Sequence, residues 1–305
     1  MSIIGSHIQL LKKGGADVAV RLAGGMLLLA AGIAPAAAQS LNWEGQTGVY
    51  VTPLAYTAAS PKNSIGKPIA AYHYLHTGDV IGGYHTASVT VGLFSRAEFG
   101  YTRAFLQSGD TPGLSPLWKG GFNIVHGKAN LVPENAGQQN WLPAISAGFV
   151  ARTQDPNVSG ALAKPTRDFQ NGEFYLVATK TVTQIQGLPV VLNFGYKATN
   201  ASLLGLVGNA PAYKGRAFGT AAFVVKGPAT STLILGAEFA QQPREVRNLP
   251  GVVVPTTIVY AARVIPSEKT KFNLDFGVAQ AAGKVVPGVD LKARRQFAMG
   301  ISYGF

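Results

Sequence analysis

The chain has 305 residues, a formal charge of +12, 37 glycines and no cysteine, and only 13% of its residues are charged. The lack of cysteine excludes disulfide frameworks, thiolate metal centres and cysteine nucleophiles, and a charged fraction near half the roughly 25% of soluble domains argues against an ordinary soluble enzyme. No stretch after residue 40 approaches the roughly 20 consecutive apolar residues of a membrane helix, so a helical membrane protein is excluded too.

Residues 1–38 read as a secretion signal. Lys12 and Lys13 precede the apolar run Leu22–Ile33, and Pro35 and Ala36-Ala37-Ala38 follow as a small-residue cleavage site. Cleavage is expected before Gln39. No twin arginine is present, which favours the general secretion route. Residues 39–66 are less regular: Val49 and Val51 alternate around Tyr50, but Pro53 interrupts. This segment is expected either in the periplasm or folded into a barrel lumen as a plug.

From Lys67 onward, runs of about ten residues alternate with turn signals. Strands are expected near 67–75, 84–93, 96–105, 119–131, 142–152, 173–182, 189–199, 213–225, 231–240, 255–264, 270–280 and 294–305. Several alternate cleanly. Val190, Leu192, Phe194 and Tyr196 oppose Asn193, Gly195 and Lys197, and Phe272, Leu274, Phe276 and Val278 oppose Asn273, Asp275 and Gly277. The runs at 119–131 and 173–182 show no clear phase. Counting back from the C-terminus, long connections (281–293, 241–254, 200–212, 153–172, 106–118) alternate with short ones (265–269, 226–230, 183–188, 94–95), with 132–141 intermediate and 76–83 moderate. Short periplasmic turns and long external loops are the pattern of an outer-membrane barrel. The fold class is therefore all-β: an antiparallel transmembrane barrel of about twelve strands over 67–305, closed by the C-terminal strand.

That last strand places Phe297, Met299, Ile301, Tyr303 and Phe305 on one face, with Ala298, Gly300 and Ser302 on the other. A terminal Phe with an aromatic two residues before it resembles the closing strand of bacterial outer-membrane barrels. Phe297, Tyr303 and Phe305 are accordingly expected to be read by the barrel-assembly machinery. Gly92, Gly100, Gly148, Gly195, Gly236, Gly277 and Gly300 fall in the small-residue phase, as curvature relief or as a belt for the 39–66 segment to pack against.

Arg96, Glu98, Lys197, Glu238, Arg263 and Asp275 are the charges assigned to the inward phase. They would form either a structural network, since unpaired buried charges are costly, or a ring selecting permeating solutes. Arg244, Arg247, Lys284, Lys292, Arg294 and Arg295 lie in or beside external loops, as solvated charge or as donors to lipopolysaccharide phosphates. His73, His76 and His85 could be imagined as a metal site, but strand alternation puts His73 and His76 on opposite faces, so none is assigned. His126 with Ser88 or Ser146 could be nominated as a hydrolase pair, without any nucleophile-elbow signature. No cofactor is implied. The scattered basic residues and the lack of a nucleic-acid motif point to outer-membrane lipid, lipopolysaccharide or small anionic solutes as partners, not to nucleic acid.

Five short segments occur in a recognisable order: Val91–Phe99 (VGLFSRAEF), Trp141–Ile145 (WLPAI), Phe174–Lys180 (FYLVATK), Thr199–Gly205 (TNASLLG) and Gly236–Phe239 (GAEF). On these the chain resembles an uncharacterised bacterial family of predicted outer-membrane barrels, a domain of unknown function. The resemblance implies a barrel and carries over no catalytic residue. A narrow porin-like channel for small polar or anionic solutes is the leading expectation. A non-conducting envelope or surface-interaction barrel is the alternative, and an embedded lipid-modifying enzyme a third.

Overall fold

Period-two alternation gives each strand one apolar and one small or polar face, and a sheet of such strands removes its unpaired edges by closing on itself. Here it does. The structure, a computed structural model, describes residues 40–76, 82–106, 121–154, 170–183, 185, 188–206, 208–247, 253–267, 270–282 and 295–305. Twelve strands form the barrel: β1 (Ile69–His76), β2 (Gly83–Leu93), β3 (Ala97–Leu106), β4 (Phe122–Val132), β5 (Ala144–Gln154), β6 (Asn171–Val182), β7 (Val190–Ala201), β8 (Asn209–Lys226), β9 (Thr232–Ala240), β10 (Thr256–Ile265), β11 (Phe272–Ala282) and β12 (Gln296–Gly304). Each pairs antiparallel with its sequence neighbours, and β1 closes on β12 with Ile69 opposite Gly304 and Tyr72 opposite Ile301.

Outward residues stay exposed although they are large and apolar: Phe174 is 64% and Phe194 60% accessible, and Phe99, Leu176, Leu192, Tyr260, Phe297, Met299 and Ile301 follow the same pattern. A continuous apolar belt on a closed barrel is the surface that lipid covers. The protein is an outer-membrane β-barrel. The connections after β2, β4, β6, β8 and β10 lie at the end holding Ile69 and Phe305, and those after the odd-numbered strands lie at the other end. Four of the five connections at the first end are short and four of the six at the other are long; outer-membrane barrels turn short connections to the periplasm, and the two ends are named periplasmic and external on that rule.

Two expectations change. The loop at 200–212 contracts to 202–208, because β8 begins at Asn209 and Ala201 still pairs with Asn209 across a bulge after Thr199. The glycines mostly do not form a belt for the N-terminal segment. A Cβ on Gly195 would lie 2.1 Å from the Phe218 ring, on Gly148 2.3 Å from the Tyr175 ring, on Gly100 2.4 Å from His126 Nε2 and on Gly300 2.4 Å from the His73 ring. Each missing side chain makes room for a ring of the wall itself, usually from the adjacent strand. At Gly92 the near atom, 2.1 Å away, is instead the carbonyl oxygen of Ala58. Because the Phe218 ring is buried and cannot retreat into lipid, Gly195→Val is expected to destabilise the barrel by about 1–3 kcal/mol through overpacking. Equilibrium urea unfolding in detergent reads this. A change of a few tenths would show that the ring has room to move.

Candidate functional site: a segment inside the barrel

The lumen is filled by residues 40–58. Leu41, Trp43, Tyr50, Leu54 and Ala55 are all buried. The segment has almost no regular structure, so its polar main-chain groups need partners, and they find them in its own turns and in the wall. Asn42 starts the fold: its Oδ1 accepts from Glu44 N and Gln46 N at 3.0 and 2.9 Å. This is the local bonding that makes asparagine a turn residue. Gly45 supplies a left-handed φ of +88°, and any Cβ there would sit 2.3 Å from Thr102 Oγ1. Trp43 N donates to Tyr50 O, Val49 N to Thr52 O and Leu54 N to Thr47 O, folding the segment back on itself.

Both ends of the segment lie at the periplasmic mouth. Residues 59–68 lead into β1, while Ser40 accepts from Asn273 Nδ2 (2.8 Å) and Leu41 N donates to Ser302 Oγ (3.3 Å), both near the periplasmic ends of their strands. The apex reaches the external third, where Trp43 stacks on Tyr84 with ring centroids 4.5 Å apart. Beyond the apex, Leu204 and Leu206 of the β7–β8 connection join the same buried cluster, and Leu203 packs on Val246 and Val254 of the β9–β10 connection. The described parts of these two connections pack over the apex.

Four charged clusters hold the segment to the wall. Glu98 accepts from Thr47 N, Thr47 Oγ1 and Ala58 N, and pairs with Lys128 at 3.1 Å. Lys128 in turn donates to Thr47 O (2.9 Å) and Leu54 O (2.8 Å). Arg152 binds Glu44 through Nε (2.6 Å) and Nη2, and its Nη2 lies 3.4 Å from Glu173, which also accepts from Lys197 at 3.0 Å. Arg263 bonds Asp275 (2.7 Å) and donates to the carbonyls of Gly48 and Val49. Glu238 has no ion-pair partner among the described residues. It takes the successive main-chain N–H groups of Tyr50, Val51 and Thr52 at 2.8, 3.1 and 2.7 Å, and the Thr52 hydroxyl at 2.7 Å. Consecutive N–H groups converging on one carboxylate form an anion nest. At the periplasmic mouth, burial and the neighbouring Glu134 push the Tyr56 phenol well up, so it stays a donor to Glu134 at 2.7 Å.

Of the six inward charges named from sequence, Glu98, Lys197, Glu238, Arg263 and Asp275 line this lumen. Arg96 does not. It is exposed in the β2–β3 turn, where Phe94 and Ser95 take left-handed φ of 53° and 54° and break the alternation on which its inward phase rested. Glu44, Lys128, Arg152 and Glu173 were not anticipated. Three of these sit on β4, β5 and β6, and in β4 and β6 the inward face mixes Phe122, Ile124, Tyr175 and Val177 with His126 and Thr179, so no polar phase is visible. Apolar residues point inward there because the inserted aromatics meet them.

Arg244, Arg247 and Arg295 are exposed at the external end, and Lys284, Lys292 and Arg294 lie outside the described residues. Phe297, Tyr303 and Phe305 all face outward, and Tyr303 meets Phe305 edge-on at 5.0 Å. His73 points into the lumen beside Tyr50, whereas His85 stacks on Phe105 among the outer aromatics. Among the described residues no group of three potential ligands could hold a metal. His126 Nε2 meets Thr90 at 3.2 Å, and neither nominated serine is its partner: Ser88 accepts from Thr102 and Ser146 donates to Ala55 O.

The barrel is similar to the KdgM porin (13% identity over 78% of this chain and 99% of that one, TM-score 0.44). It is also similar to the COG4313 outer-membrane channel of Pseudomonas putida F1 (11%, 83% and 98%, 0.47). A third similar structure is Omp33 of Acinetobacter baumannii (11%, 79% and 99%, 0.37). No curated protein matches the sequence. Residues 37–253 match the family model described as a protein of unknown function, DUF3034, and the chain belongs to that family.

Proposed function

We propose that the protein is a porin-like channel held closed by its own residues 40–58, which withdraw toward the periplasm to open it. The observation that carries this is how the lumen is filled. A permanently solid barrel fills itself with wall side chains. This wall turns some rings inward, Phe122, Tyr175 and Phe218 among them, but otherwise presents Gly, Ser, Thr, Asn and charged groups and leaves the remaining space to a segment whose two ends are at one mouth. Such a segment leaves without threading. With residues 1–38 removed as a secretion signal, its new N-terminus would start at that same mouth. The wall left behind is polar over much of its inner face. It carries Glu98, Glu173, Glu238 and Asp275 against Lys128, Arg152, Lys197 and Arg263, a balanced set suited to small polar solutes of either sign.

Single-channel recording in planar bilayers tests the reading. The intact mature chain is expected to be silent or rarely open, and the chain lacking residues 40–58 to conduct in steady steps. Thr52 Oγ1 and Thr220 Oγ1 are 2.6 Å apart, and the chain has no other cysteine to interfere. Thr52→Cys/Thr220→Cys should therefore lock the channel shut when oxidised and restore openings when reduced. A folded deletion variant that never conducts would favour the non-conducting barrel.

A further inference from the structure

We propose that a polar cleft at the external ends of β8, β9 and β10 binds an oxyanion on a molecule that also carries a hydroxyl group, such as a sugar phosphate or sugar acid. The cleft has a volume of about 290 Å³ and is lined by Arg216, Gln241, Gln242, Arg244, Val254 and Thr256. That is near the lower end of small-molecule sites, roughly 300–1,000 Å³, and suits a single monosaccharide unit. It lies outside the plugged lumen, so it can be occupied with the channel closed.

One donor is positioned in advance, and the other rides on a tied loop. Arg216 Nε donates to Gln242 O and its Nη1 to Gly215 O, both at 2.7 Å, so main-chain carbonyls fix the plane of the guanidinium. Arg244 sits on a loop whose main chain is tied by Val254 N to Arg244 O at 2.9 Å. Neither arginine has an ion-pair partner among the described residues, although every arginine and lysine in the lumen has one. Gln241 is pinned to β8 through both its main chain and its Oε1, at 3.0 and 3.1 Å from Ala217.

Gln242 supplies the second, independent observation. The residue is 3% exposed and its Oε1 is buried without a hydrogen-bond partner, while its Nε2 reaches Ala240 O only at 3.5 Å. A buried carbonyl oxygen left unsatisfied is costly, and a ligand hydroxyl donating to it removes the penalty. Two guanidinium donors beside one unsatisfied acceptor call for an oxyanion on a molecule that also carries a hydroxyl. Lipopolysaccharide headgroups and free sugar acids both present that chemistry.

Isothermal titration calorimetry on the detergent-solubilised full chain tests this with glucose 6-phosphate, inorganic phosphate, glucose and lipopolysaccharide. Glucose 6-phosphate is expected to bind and glucose not to. Arg244→Gln, on an exposed loop and without folding risk, and Arg216→Gln should each weaken glucose 6-phosphate at least tenfold. Gln242→Leu should bring it down to the affinity of inorganic phosphate. If lipopolysaccharide binds with the same dependence on Arg216 and Arg244, the occupant is an envelope lipid headgroup; if only the soluble sugar phosphate does, it is a free solute. Unchanged affinity in both arginine variants, glucose binding as well as its phosphate, or no binding of any probe overturns the proposal.

Discussion

Glu238→Ala is expected to turn a closed barrel into one that opens frequently. The carboxylate is the acceptor for three consecutive main-chain N–H groups and one hydroxyl, all contributed by residues 50–52. Alanine leaves these donors buried and unsatisfied, at about 1–3 kcal/mol each. Water entering the space recovers part of that, so about 3–5 kcal/mol of lost stabilisation for the inserted state is the expected result. A change of about 4 kcal/mol multiplies the withdrawn population by roughly a thousand. Planar-bilayer recording should show openings that the parent lacks, and limited proteolysis should cut within residues 40–58. Glu238→Gln, which keeps one acceptor oxygen, should fall between the two. A Glu238→Ala protein as silent and protease-resistant as the parent would mean that the nest does not hold the segment.

The second large effect concerns Glu98 and Lys128, which bind each other and, between them, five groups of the inserted segment. Glu98→Gln leaves an ammonium buried without its counter-charge, and Lys128→Met leaves a carboxylate in the same condition. Each is expected to cost about 3–5 kcal/mol. The double variant removes both charges and should be more stable than the sum of the singles by about 1–3 kcal/mol, the coupling typical of residues in contact. Equilibrium unfolding of the four proteins gives the cycle. Additive losses would show that the two residues act on the segment independently, and the pair could not then be treated as one clamp. Both side chains are fully buried, so salt should change this coupling little, whereas the partly exposed pair Lys180–Glu134 should lose its small contribution in high salt.

Much of the wall is legible in the chain because a strand writes its two faces into alternate residues. Phe194, Tyr196 and Phe276 could only face lipid, given Gly195, Lys197 and Asp275 between and beside them, and the same reasoning yields twelve strands and their orientation. Alternation fails where its premise fails. At Arg96 a tight turn resets the phase, and in β4 and β6 the lumen is not uniformly polar, so Phe122 and Tyr175 point inward like Lys128 and Glu173 beside them.

Local sequence thus determined the barrel and five of its inward charges, because these depend on period two and on turn chemistry. Only the tertiary structure decided what those charges do. Glu44 meets Arg152 across 108 positions, and Tyr50 meets Glu238 across 188, and no local pattern records such pairs. Residues 40–58 have neither strand nor helix periodicity, and their fold exists only where the closed wall supplies the acceptors and donors that their main chain lacks.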